Sequence, residues 1–321
     1  MSYYNKRLGT DSFPGRLNEA RSATAANGGT ALGTTVAVTS VMALPQKTTH
    51  YTLYPRNFTG ANVLKFALNP FLIILVTGNN LQTSTDFSQA GQQNTGNGTF
   101  DATGVSLNNQ DVFANGGAIY VGSHVPFRGV AVTNGNANTN ASVLTVNYWN
   151  GAWTGVSGFT DGTSSGGKTQ AQSGLVTWTV PTDWKAQFLS DTMPGNPNAQ
   201  GWLSIPGANG VPAGPPVAPI MRDALIQPAT SSSTVAATNP NQKTRFWTQW
   251  IVSAKLSATV NNTGMLSLNR STAYAETEAK VFTQGRTFHA PDGIAAIEAI
   301  IDAGSGNLII TAYNDNELGN F

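Results

Sequence analysis

Cysteine is absent from the 321 residues, and only 10% of them carry charge. The first absence excludes disulfides, thiolate metal sites, iron–sulfur clusters and cysteine nucleophiles together. The second sets the chain well below the roughly 25% charged residues of an ordinary globular domain. Its 17 basic and 16 acidic side chains nearly cancel, giving a net charge of +1. A nucleic-acid binder needs a basic stripe to neutralise phosphates, so no nucleic-acid partner is expected. Long hydrophobic runs are missing too. The most apolar stretch, Phe66 to Val76, is interrupted by Asn69-Pro70 and falls short of the about 20 apolar residues that span a bilayer. The N-terminus lacks the apolar core of a signal peptide, so no membrane partner is expected either.

Catalytic and metal-binding patterns are equally scarce. The three histidines are His50, His124 and His289. None falls within the about three to five residues that separate zinc ligands on one element. No metal or cofactor is therefore expected. There is no GxSxG elbow and no phosphate loop; Gly162 to Gly167, followed by Lys168, reads as a polar turn. A glycosidase would need a carboxylate pair, for which Asp161, Asp183, Glu276 and Glu278 are the candidates. Glu276 and Glu278 read instead as charges that keep a sheet edge from pairing. Asn314-Asp-Asn-Glu317 lacks the twelve-residue calcium-loop pattern. No catalytic residue is assigned, and the protein is read as non-enzymatic.

What the chain has is amide, hydroxyl, glycine and strand pattern. Gly (34) and Pro (16) are frequent, and 40% of residues are apolar, so a folded core is affordable. Residues 23–46, 129–160, 192–221 and 224–242 contain no charge at all. Asn, Gln, Ser and Thr lose less than charges do when another surface covers them. Such a surface suits packing against neighbours, and equally suits an extracellular or halotolerant β-protein. The few charges are distributed unevenly, with Lys6, Arg7, Arg16 and Arg21 near the start and Asp292, Glu298, Asp302, Asp315 and Glu317 after Thr287.

Residues 1–45 read as an N-terminal arm, with a weak alternating patch at Val36, Val38 and Val41. A β-sandwich domain is expected over 46–321. Alternation marks strands at 63–68, 118–121, 128–133, 142–149, 152–156, 174–180, 245–252 and 254–260. Asn134-Gly135 and Asn150-Gly151 are hairpin dipeptides. Residues 77–117 read as a long polar excursion, and 191–242 as a Pro-rich insertion. Ile297 to Ile301 and Leu308 to Thr311 are expected to form a hairpin about Ala303-Gly-Ser-Gly306. The fold class is thus all-β, a sandwich of jelly-roll type with long irregular loops and an extended N-terminal arm. Of the seven tryptophans, Trp178 and Trp250 lie on apolar strand faces and belong to a core. Trp153 and Trp202 lie near turns and are the candidate surface contacts.

Tyr148-Trp-Asn-Gly-Ala-Trp153, Thr160-Asp-Gly-Thr163, Ser173 to Pro181, Asp183-Trp184 and Arg245 to Leu256 together resemble structural proteins of tailed-phage virions. The resemblance covers residues 118–260. It implies a β-rich, abundant, non-enzymatic protein, foremost a capsid decoration (cement) protein that stabilises the head shell. Its partners would be the major capsid protein and its own copies, as in a trimer. Its place would be the virion surface after synthesis in the host cytoplasm. The expected contacts are Tyr3, Tyr4, Arg7, Phe13 and Arg16 in the arm and Phe321 at the end. The alternative is a tail, baseplate or head-fibre module that binds host glycans through Trp153 and Trp202.

Overall fold

The computed structural model describes residues 29–44, 48–58, 63–70, 72–77, 105–115, 117–187, 244–271, 276–277, 286–291 and 294–313. Among these residues there is no α-helix, and hence no helix long and apolar enough to cross a membrane. The arm residues Tyr3, Tyr4, Arg7, Phe13 and Arg16, the terminal Phe321, Trp202, Glu278, residues 314–317 and the Pro-rich insertion lie outside the described residues.

The chain divides into two compact units. Among the described residues the first comprises 29–69 and 276–313, and the second 70–271. The division falls inside the single domain expected from residue 46 to 321. It also brings residues 29–44, read as part of the arm, into the first unit. Unit 1 holds β1 (Thr30–Leu32), β2 (Val41–Ala43), β3 (His50–Arg56) and β4 (Leu64–Pro70). It is completed from the far end of the chain by β16 (Glu276–Thr277), β17 (Arg286–His289), β18 (Ile294–Ile301) and β19 (Gly306–Tyr313). These strands make two four-stranded sheets, β1-β19-β3-β17 and β16-β4-β18-β2. Tyr51, Leu53, Leu308 and Ile310 from one sheet share a core with Phe66, Ile297, Ala299 and Ile301 from the other, as in a β-sandwich.

Unit 2 holds β5 (Ile73–Thr77), β6 (Val105–Ser106), β7 (Ala118–Ser123), β8 (Gly129–Asn136), β9 (Leu144–Trp149) and β10 (Trp153–Gly155). It continues with β11 (Thr160–Asp161), β12 (Gly174–Thr177), β13 (Ala186–Gln187), β14 (Arg245–Val252) and β15 (Asn261–Ser267). A six-stranded sheet runs β10-β9-β14-β7-β5, with β13 also on β14, and a five-stranded sheet runs β11-β12-β8-β15-β6. Ile119, Val146, Trp250 and Val252 of the first meet Val130, Val132, Val176 and Met265 of the second in one core. The alternation in β9 decides which face looks inward: Leu144, Val146 and Tyr148 are buried, while Thr145 is exposed. Burying each large apolar side chain contributes about 1.5–3 kcal/mol.

Four expectations need correction. Asn134-Gly135, read as a hairpin dipeptide, closes no turn: both residues lie inside β8, which stays paired with β15 as far as Asn136. The strands expected around residues 297–301 and 308–311 both form, but they are not a hairpin: β18 pairs with β2, while β19 pairs with β1 and β3 in the other sheet. Gly304, at φ 73, lies in the connection. The chain changes sheets there because both strands present apolar faces to the same core. The strand expected over 254–260 is an irregular connection, and β15 begins only at Asn261. Its backbone bonds instead to residues 107–110, through Leu256 N–H to the Gln110 carbonyl (2.9 Å) and Leu107 N–H to the Val260 carbonyl (2.8 Å). Those bonds also show that the polar excursion 77–117 is not all surface. Val105 and Leu107 are buried in the unit 2 core.

Candidate functional site

The Asn150-Gly151 dipeptide closes the β9–β10 hairpin, with Gly151 at φ 122, a conformation that other residues adopt only with strain. The register sets Trp149 opposite Trp153, Tyr148 opposite Thr154 and Asn147 opposite Gly155. The two indoles meet edge-to-face, with ring centres 5.4 Å apart. Both are half-buried. Trp153 also lies against Tyr120, at 5.8 Å.

A row of polar side chains crosses the same face of the sheet. Asn147, Gln249 and Tyr120 are register partners on β9, β14 and β7. Asn147 Nδ2 donates to Gln249 Oε1 (3.1 Å), and Gln249 Nε2 donates to the Tyr120 hydroxyl (3.3 Å). Burial pushes the Tyr120 phenol up to about 12, partly offset by that bond from Gln249. The row is therefore a fixed, neutral hydrogen-bond network.

At the hairpin's end stands a carboxylate. Asp183 is exposed and accepts Asn150 Nδ2 (3.0 Å) on one oxygen and the Tyr148 hydroxyl (2.9 Å) on the other. Those two bonds, Asn150 first, hold the carboxyl below its ordinary range, with a small contribution from the charge of Lys185. The hydrogen bond to Asp183 in turn raises the Tyr148 phenol. Near neutrality Asp183 is thus a stable acceptor rather than a proton donor. Asn150 Oδ1 accepts from Ala152 N–H and the Thr154 hydroxyl, both at 3.3 Å. Lys185 is anchored through its backbone N–H to the Trp149 carbonyl (2.9 Å). The half-buried indoles of Trp149 and Trp153 can stack against a polyhydroxylated or amide-rich surface, while Asp183 holds the end of the hairpin through Tyr148 and Asn150.

The other described tryptophans, Trp178, Trp184, Trp247 and Trp250, serve the scaffold. Trp178 and Trp250 are buried at 4% and 1% exposure, on the core faces expected of them. Their indole N–H groups reach the Phe127 carbonyl and the Thr248 hydroxyl, each at 3.0 Å. Trp184 and Trp247 donate to the carbonyls of Trp247 and Gln187. Asp161 is likewise tied up locally, its Oδ1 accepting both the N–H and the hydroxyl of Thr163. The side chain of Asn138, 2% exposed, makes four hydrogen bonds to three residues. Its Nδ2 donates to the carbonyls of Asn140 and Thr169, and its Oδ1 accepts from the N–H groups of Asn140 and Ser257. Some of the amides read as neutral surface are therefore internal struts.

The sequence reading missed two placements. Asp183 was weighed only as half of a glycosidase pair, whereas its partners here are Tyr148 and Asn150. The local signal was partial: Trp149 and Trp153 face one another across the three-residue loop Asn150–Ala152, whereas a two-residue Asn-Gly turn would set Trp149 opposite Ala152. His50 and His289 are directly opposed on β3 and β17, with ring centres 5.2 Å apart. No local spacing could show that. Among the described residues no three His, Cys, Asp or Glu side chains are gathered where they could hold a metal ion. No family model, curated protein or solved structure matches this chain.

Proposed function

We propose that this chain is a structural protein of a tailed-phage virion that decorates and stabilises the head shell as a homo-oligomer. In this reading the major capsid protein is its partner, a jelly-roll-like sandwich its framework, and its action is mechanical. Area buried at shell joints favours the assembled particle by mass action. The observation that carries the reading is the uncharged exposed surface of residues 129–160. Thr133, Asn136, Thr139, Asn140, Thr145 and Ser157 are all exposed within the uncharged stretch 129–160. A hydrogen-bonding surface without charges is covered at small desolvation cost. The tryptophans of the phage-like motif support the same view, since Trp178, Trp184, Trp247 and Trp250 are buried scaffold.

The test is copy number per particle, measured by quantitative mass spectrometry of purified virions. Hundreds of copies in a simple ratio to the major capsid protein are expected. Absence from particles overturns the reading.

The half-buried Trp149–Trp153 pair favours a second reading, a tail or head-fibre module that binds host glycans. A few dozen copies per particle, with glycan binding lost in Trp153→Ala, would support it over decoration.

A further inference from the structure

We infer that His50 and His289 form a clip for a single divalent transition-metal ion on the outer face of unit 1. The inference is independent of the virion reading. Its basis is a juxtaposition that the sheet enforces. His50 is the first residue of β3 and His289 the last of β17, and they are register partners. The neighbouring rung is hydrogen-bonded, Ala290 N–H donating to the Thr49 carbonyl at 2.7 Å. Rungs of an antiparallel pair alternate, so the histidine rung is of the non-hydrogen-bonded kind, in which facing side chains approach most closely.

The rest of the strand pair fixes this rung. On the same face, the Thr52 and Thr287 hydroxyls bond at 2.7 Å. On the opposite face, Tyr51 and Phe288 stack with ring centres 5.4 Å apart. The imidazoles stand at 85° to each other with centres 5.2 Å apart. Two imidazole nitrogens on one tetrahedral ion, each at about 2.0–2.1 Å, place the ring centres roughly 5 Å apart. The ring spacing therefore matches that of two ligands to one ion, with side-chain rotation left to turn a nitrogen of each ring toward it.

The chemistry around the rings is also suited. His50 Nδ1 is 3.2 Å from the Thr49 hydroxyl. With the proton on Nδ1, the lone pair sits on Nε2, the arrangement by which a hydrogen-bonded partner orients a ligating histidine. His289 is exposed and His50 half-buried, so an ion can enter from solvent. Two neutral imidazoles select zinc, copper or nickel over magnesium and calcium, with water completing the coordination. Bound there, the ion would tie the edge strand β17 to β3.

The experiment is isothermal titration of the untagged full-length protein with Ni2+, and separately with Mg2+, in a non-chelating buffer. One saturable Ni2+ site per chain and no Mg2+ site are expected. His289→Asn removes a ligand from an exposed position and should weaken Ni2+ binding by about tenfold or more. His50→Asn should do the same, and His124→Asn should leave binding unchanged. Absence of a saturable Ni2+ site overturns the clip. So does wild-type affinity in His289→Asn, or equal binding of Mg2+.

Discussion

The Tyr148 hydroxyl donates to the Asp183 carboxylate at 2.9 Å, joining a core-facing side chain of β9 to an exposed one beyond β12. With Asn150 on the other oxygen, one carboxylate fastens both the β9–β10 hairpin and the segment leading to β13. The candidate surface at Trp149 and Trp153 therefore depends on a residue thirty positions beyond it in the chain.

Asp183 should make unit 2 sensitive to acid. Its folded-state carboxyl lies below the ordinary value of 3.8, so its stabilisation is complete above that value and fades as pH falls through the folded one. Between pH 5 and pH 3, at about the carboxylate range, the wild type should lose more thermal stability than Asp183→Asn. Melting curves followed by tryptophan fluorescence check this. All seven tryptophans lie between Trp149 and Trp250, within the bounds of unit 2.

Alkali should act through Tyr120. Its phenol, raised from 10.0 to about 12, stays protonated in the folded state after unfolded chains have ionised. Its stabilisation is intact below pH 10 and declines through the interval up to 12. Tyr120→Phe should flatten that decline. Ultraviolet titration of the phenolates should show one fewer late-ionising tyrosine in the variant.

Trp250→Ala should cost about 3–5 kcal/mol, as large-to-small core changes do. The indole is 1% exposed and its N–H bonds to Thr248, so both packing and a partner are lost. Urea unfolding monitored by the remaining tryptophans gives the value. A cost below about 1 kcal/mol would mean that the site collapses around the gap.

Gly122→Ala should destabilise by about 1–3 kcal/mol through overpacking. An added Cβ would lie 2.5 Å from the Trp247 ring. That ring is held by its N–H bond to the Gln187 carbonyl and cannot swing aside without breaking it. Gly155→Ala on β10, where the nearest atom would be 3.9 Å away, is the matched control and should change little.

The strands were legible where one face was apolar and the other polar. Leu144, Val146 and Tyr148 announced their own orientation, and so did Trp178 and Trp250. Pairing was less legible. The Gly-rich connection before β19 resembles a hairpin turn, yet the apolar content of both flanking strands is satisfied only by opposite sheets. The apparent alternation over 254–260 failed because Leu256 and Val260 enter the core from an irregular backbone bonded to residues 107–110. The division into two units was hidden for another reason. Each half of unit 1 alone reads as a few short strands, and nothing local ties them together. The site followed the same rule: the Trp149–Trp153 contact is local and partly readable, whereas Asp183 with Tyr148, and His50 with His289, are consequences of distant register.

Unit 1 is built from the two flanks of unit 2, and that has a consequence for biosynthesis. Thr52 and Thr287, bonded across β3 and β17, are 235 residues apart. At about 5–20 residues per second, a ribosome needs roughly ten to fifty seconds to travel between them. Throughout that interval β1 to β4 exist without the strands that complete their sheets, while unit 2 emerges whole and can fold first. The nascent early strands are then the segment most in need of a chaperone, and slowing translation should lower the yield of unit 1 before it touches unit 2.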